Sequence, residues 1–167
     1  DIEKIAAGKM QFDLKTELVL PLVQQAVDAN KPMAQERHIQ LTIQSHISDA
    51  CIKVDAKRLI QVLSNFLSNA IKFSPTAATV QVELSLNEKL VRVAVSDKGP
   101  GIPEKFRERI FLRFSQADAS DSRQTGGTGL GLAISKELVQ GMKGSIGFES
   151  VEGQGATFYC CFALVED

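Results

Sequence analysis

The chain has 167 residues, 44% of them hydrophobic, enough to close one core and too few for two domains. Its 19 basic and 20 acidic residues leave a formal charge of −1, which gives no electrostatic footprint for nucleic acid or for an anionic membrane. The longest apolar run, Ala156 to Val165 broken by Thr157, is far too short for a bilayer, and no secretory signal opens the chain. The reading is a soluble cytoplasmic domain without direct membrane contact.

Asp1 to Gly8 carries Ile2, Ile5 and Ala6 on one side and reads as the tail of a helix that begins outside the chain. A helical pattern follows from Leu18 to about Arg37, with Pro21 tolerable in the first turn and Pro32 a kink. Ile39 to Ser45 alternates as a strand. Cys51 to Val54 is a short strand, and Asp55 then caps a long helix running to about Phe73. Val80 to Leu86 and Leu90 to Asp97 form a hairpin across Asn87, Glu88 and Lys89. After Pro103 comes a short helix, then a polar, glycine-containing stretch from Ser115 to Thr128 that reads as a mobile loop. Gly129 to Gly141 is the last helix, and Gly144 to Ser150 with Ala156 to Val165 closes the chain as a hairpin turned at Glu152 to Gly155. Helices alternating with antiparallel hairpins predict a two-layer α/β sandwich, its one mixed, mostly antiparallel sheet covered on one face by three helices.

The three cysteines, Cys160 and Cys161 being adjacent, form neither an even disulfide framework nor a CxxC pair, and neighbours in a strand point to opposite faces. They read as packing thiols. His38 and His46 have no cysteine or carboxylate at metal spacing and read as solvated.

Three clusters carry chemistry: NFLSNAIKF from Asn65, DKGPG from Asp97 and GGTGLGL from Gly126. On the long helix, Arg58, Gln61, Asn65, Asn69 and Lys72 recur at steps of three and four, opposite the stripe of Leu59, Leu63, Phe66, Leu67, Ala70 and Ile71. Asparagine is a poor helix former, so two of them one turn apart point to oxygen ligands for a hard cation, with Lys72 reaching phosphate; a plain solvent face is the alternative. Asp97 ends a strand before Gly99 and Gly101. A carboxylate there accepts hydrogen bonds only, which suits the amino group of adenine, although an ordinary Asp–Gly turn has the same letters. The glycine cluster opens a helix, where free N–H groups and the positive end of the helix dipole make an anion site. It is not a Walker loop, because Leu132 and Ala133 follow Gly131, and not a dinucleotide fingerprint, because a loop rather than a strand precedes it.

In this order, with the FLRF segment at Phe111 to Phe114 between the last two, the clusters resemble the N box, first glycine box, F box and second glycine box of the catalytic, ATP-binding domain of two-component sensor histidine kinases. That domain belongs to a wider superfamily with gyrase-type topoisomerases, a heat-shock chaperone class and mismatch-repair ATPases. The resemblance covers about residues 12–165. It implies residues 1–10 as the end of a dimerisation helix and linker, and 11–167 as the catalytic ATP-binding domain with a mobile ATP lid.

The cofactors implied by the resemblance are ATP and Mg²⁺. Asn69 would coordinate the metal, Asn65 would sit beside metal and phosphates, and Lys72 and Phe73 would approach phosphate and ribose. Asp97 would bind the adenine amino group in a pocket shaped by Gly99, Gly101, Ile102 and Thr157. Arg113 and Gln116 would stand at the hinge of the lid, with Arg113 facing charge on the transferring γ-phosphate. Gly127, Thr128, Gly129, Leu130, Gly131 and Leu132 would wrap the triphosphate. Lys98 and Lys143 are departures at variable positions, the second where glycine is commoner.

Where ATP-hydrolysing members carry a Glu that activates water, this chain has Asn65, which is no base near neutral pH. Slow hydrolysis is expected, leaving the γ-phosphate for a histidine on a separate dimerisation and phosphoacceptor domain, and then for a response-regulator receiver domain. Neither His38 nor His46 has the acidic neighbour and downstream proline of a phosphoacceptor. The chain alone is expected to be a monomer that binds ATP without phosphorylating itself, from a homodimeric and sometimes membrane-anchored parent. A regulatory nucleotide-binding module without kinase output and a gyrase-type ATPase are the alternatives.

Overall fold

The computed structural model describes residues 11–47, 49–104, 110–111 and 131–166. The expected tail helix at Asp1 to Gly8 and the loop from Ser115 to Thr128 lie outside the described residues, as does most of the short helix expected after Pro103.

The alternating patterns become a five-stranded sheet of β2 (Gln40–Ser45), β4 (Thr79–Asn87), β5 (Leu90–Ser96), β6 (Ser145–Val151) and β7 (Gly155–Ala163), in the order β2-β4-β5-β7-β6. Only β2 and β4 run parallel; every other neighbour is antiparallel. In β4 and β5, Val80, Val82, Leu84, Val91, Val93 and Val95 are buried, and Val82 pairs with Val95 and Val93 with Cys160, so one face of the sheet is continuously apolar. The other face carries Gln81, Glu83, Arg92 and Tyr159, with the Arg92 guanidinium 4.5 Å from the Tyr159 ring centroid.

Three helices cover the apolar face: α1 (Val19–Glu36), α2 (Ala56–Phe73) and α3 (Gly131–Gly141), with α2 packed between the other two. A parallel pair needs a crossover, and α2 lies within the connection from β2 to β4. Asp55 caps α2 by accepting from the Arg58 N–H, which contributes about 1 kcal/mol to the helix start. Leu59, Leu63, Phe66, Leu67, Ala70 and Ile71 are all buried, so the apolar stripe is the inward face, and Phe66 meets Phe158 of β7 at 5.8 Å between centroids.

One local feature departs from the expected single sheet. Cys51–Val54 (β3) pairs antiparallel with a strand that the sequence pattern did not signal, β1 (Lys15–Leu18), and together they form a separate two-stranded sheet. Four residues with no alternation carry little period signal, and this pairing is long-range. Lys143 adopts φ +68 just after α3, the left-handed conformation that closes a helix and explains why glycine suits that position.

Candidate nucleotide-binding site

The half-buried face of α2 is where the sequence clusters converge. At its C-terminal end, the DKGPG turn lies directly against it: a Cβ on Gly99 would stand 2.3 Å from the Phe73 carbonyl oxygen, so only glycine allows the approach. At its middle, the start of α3 lies over it, with the Asn65 Nδ2 donating to the Gly131 carbonyl at 3.2 Å and to Ser135 Oγ at 3.1 Å. Between these, Asn69 and Lys72 are half-buried and make no hydrogen bond or ion pair among the described residues. Phe73 is 41% exposed at the edge of the same face, an unusual position for a large aromatic.

The turn itself is tightly built. Asp97 Oδ1 accepts from the Gly99 N–H at 2.9 Å and the Ala156 N–H at 3.2 Å, and Oδ2 takes no hydrogen bond among the described residues. Burial raises the Asp97 carboxyl above its usual range, against the two backbone N–H groups and the positive charge of Lys98, which favour the ionised form. Desolvation is the larger effect, so this is an acceptor kept in a dry place. Gly101 has φ +77 and its Cβ position lies 2.6 Å from the Val151 carbonyl oxygen. Ile102 is buried, and its N–H donates to Ser150 Oγ at 2.8 Å. Thr157 Oγ1 lies 2.8 Å from Ser96 Oγ, in the strand pair that carries Asp97.

The structure therefore brings Asn65, Asn69, Lys72, Phe73, Asp97, Gly99 and Gly131 onto one side of α2, and places Gly101, Ile102 and Thr157 around the Asp97 turn. Leu132 is half-buried against the core at the start of α3. Arg113, Gln116, Gly127, Thr128, Gly129 and Leu130 lie outside the described residues. Sequence reasoning missed three groups: the Ala156 N–H, Ser150 Oγ and Ser135. The first two act through strand pairing, which no local pattern shows. Ser135 had a signal, a hydroxyl one turn after a helix-opening glycine.

Ser74, next to Phe73, has a buried hydroxyl with no hydrogen-bond partner among the described residues. An unpaired buried hydroxyl costs about 1–3 kcal/mol. Among the described residues no three histidine, cysteine or acidic side chains gather as a metal cage. Amide oxygens with an incoming triphosphate are the donor set that suits Mg²⁺, which keeps water and phosphate ligands. A cavity of about 410 Å³ at the hairpin end of β4 and β5, lined by Thr16, Ile47, Cys51 and Leu86 among others, contains none of these residues.

The family model described as histidine kinase-, DNA gyrase B- and HSP90-like ATPase matches residues 54–166, from the end of β3 to the C-terminus. The chain belongs to this family. Its relatives within the family include the sensor histidine kinase WalK of Bacillus subtilis, 41% identical over 127 residues, which are 75% of this chain and 21% of WalK. The circadian input-output histidine kinase CikA of Synechococcus elongatus is 38% identical over 160 residues, 95% of this chain and 21% of CikA. The chain thus spans about a fifth of the length of these relatives. Among solved structures, full-length ShkA in complex with AMPPNP superposes with a TM-score of 0.84 and 33% identity, over 99% of this chain and 34% of ShkA. The catalytic domain of the histidine kinase ThkA gives 0.78 and 26%, over 92% of this chain and 96% of that one. The two-layer sandwich is that of a histidine kinase catalytic domain, and no described helix is long and apolar enough to cross a membrane.

Proposed function

We propose that this chain is the catalytic domain of a sensor histidine kinase that binds ATP with Mg²⁺ and transfers the γ-phosphoryl group to a histidine on a separate dimerisation domain. The observation that carries the reading is the pair of unengaged polar side chains, Asn69 and Lys72, on the face of α2 bounded by the Asp97 turn and the start of α3. The family membership and the AMPPNP found in ShkA support a nucleotide there.

When bound, ATP supplies the phosphoryl group and Mg²⁺ offsets its charge. The Asp97 carboxylate takes the adenine amino group on Oδ2, while Gly99, Gly101, Ile102 and Thr157 shape the space for a flat base. Asn69 gives an oxygen to the metal, with Asn65 beside it. Lys72 supplies a positive charge to phosphate, and Phe73 lies toward the ribose. Leu130, Gly131, Leu132 and the glycines and Thr128 before them supply backbone N–H groups to the triphosphate, and Arg113 and Gln116 belong to the lid hinge. Asn65 occupies the position of a water-activating Glu and cannot take a proton near neutral pH, so the site holds ATP for an imported nucleophile rather than for water. A response-regulator receiver accepts the phosphoryl group next, on the cytoplasmic side.

The test supplies a dimerisation fragment bearing its histidine in trans, with γ-labelled ATP and Mg²⁺. Label on that histidine, lost with Asn69→Ala, is expected. Nucleotide binding without any labelled histidine would indicate a regulatory module instead, and steady phosphate release by the chain alone would indicate the gyrase-type ATPase.

A further inference from the structure

Ser135 is fully buried, one of three buried polar side chains among the described residues, and neither the cation nor the phosphate reading uses it. It lies one turn into α3 and closes a triangle with Asn65 and Gly131. Asn65 Nδ2 donates to Ser135 Oγ at 3.1 Å and to the Gly131 carbonyl at 3.2 Å, while Ser135 Oγ donates to the same carbonyl at 2.8 Å. The carbonyl oxygen can only accept. Nitrogen, not oxygen, of the Asn65 carboxamide therefore faces α3, and the Ser135 hydroxyl has to accept from Asn65 because its own hydrogen goes to Gly131. The two acceptors stand side by side as seen from Nδ2, too close together for its two divergent N–H bonds, so a single N–H is shared between the Gly131 carbonyl and Ser135 Oγ.

We infer that Ser135 is a positioning residue for Asn65. With the Gly131 carbonyl it forms a two-point anchor that holds the amide nitrogen of Asn65 toward α3, so that the carboxamide oxygen is the atom turned away from α3 and left to the nucleotide. On the reading proposed above, with Asn65 beside metal and phosphates, this polarity matters. An oxygen there serves Mg²⁺ or a metal-bound water, whereas an amide N–H would serve a phosphate oxygen. The helix that follows the glycine cluster thus sets which atom of the N-box asparagine meets the metal side of the site.

The experiment is a double-mutant cycle on ATP binding, measured by calorimetry with Mg²⁺ and with EDTA, using the wild type, Ser135→Ala, Asn65→Ala and the double variant. Alanine favours a helix and removes one oxygen, and Ser135→Cys, close in size with a weak acceptor, is the second variant should Ser135→Ala unfold. Ser135→Ala is expected to weaken the Mg²⁺-dependent affinity about 3- to 10-fold, the loss of one hydrogen bond, with no change in EDTA. In the Asn65→Ala background the same substitution is expected to change nothing. An equal loss in both backgrounds, or a loss that persists in EDTA, would make Ser135 a plain structural residue and overturn the inference. So would Asn65→Ala weakening binding while Ser135→Ala does not. Were Asn65→Ala itself without effect, the placement of Asn65 at the metal side would fall, and this inference with it.

Discussion

Asp97 and Ala156 hold one another across 59 residues of chain: the Asp97 carboxylate accepts from the Ala156 N–H at 3.2 Å, and the Asp97 N–H donates to the Ala156 carbonyl at 2.9 Å. The orientation of the carboxylate is thus a property of the β5–β7 pairing, not of the turn alone. It leaves Oδ2 without a hydrogen bond among the described residues, and that is the oxygen to which the proposed function gives the adenine amino group.

Asp97→Asn is expected to trade function for stability. Burial raises the carboxyl in the folded state, so the folded protein loses stability as pH rises through that raised value and regains it fully only below the ordinary carboxylate range. Asparagine still accepts from Gly99 and Ala156 and carries no charge. Thermal unfolding is expected to show the variant more stable than the wild type at pH 7, with the gain shrinking as the pH is lowered toward about 4. A gain that does not shrink would mean the charge is not what the folded state resists.

Gly155→Ala tests the contact from the other side. Gly155 has φ +109, and a Cβ there would stand 2.2 Å from the Asp97 carbonyl oxygen. Backbone strain and the forced shift together are expected to cost about 2–4 kcal/mol and to lower nucleotide affinity, read by denaturant unfolding and calorimetry.

Much of this was legible in the sequence, for physical reasons. The stripe on α2 and the alternation in β4 and β5 are strong periods, and Asp55 before α2 is an unambiguous cap. Asn69 stands out because asparagine is a poor helix former, and Lys72 is read with it because it shares that face, whereas Asp97 and Gly99 have the letters of an ordinary turn and gain meaning only beside the other clusters. β1 was not legible, since its only reason to be a strand is β3. Nor were Ala156 and Ser150, whose roles come from register between strands far apart in sequence. Ser135 reads as a mid-helix serine until Asn65 is brought beside it.

Phe66→Ala is expected to lose about 3–5 kcal/mol, because Phe66 is 1% exposed and joins α2 to the Phe158 and Phe148 rings of the sheet. Denaturant unfolding measures the loss. The site would loosen as well, since the same helix carries Asn65 and Asn69.

The thiols should separate by environment. Cys160 is fully buried, and burial holds its thiol far above the usual range, while Cys161 on the opposite face is raised less and Cys51 is half-buried. A disulfide-exchange reagent at neutral pH is expected to leave Cys160 unmodified until the protein is unfolded. Rapid reaction of all three thiols in the native state would contradict the packing of β7.

The central claim is that Asp97 and the face of α2 form an ATP site. Titration of ATP into this chain by calorimetry, with and without Mg²⁺ and beside Asp97→Asn, measures it directly. Saturable binding that Mg²⁺ strengthens and Asp97→Asn abolishes is the predicted result. Binding indifferent to Asp97→Asn, or no binding by a folded chain, would contradict it.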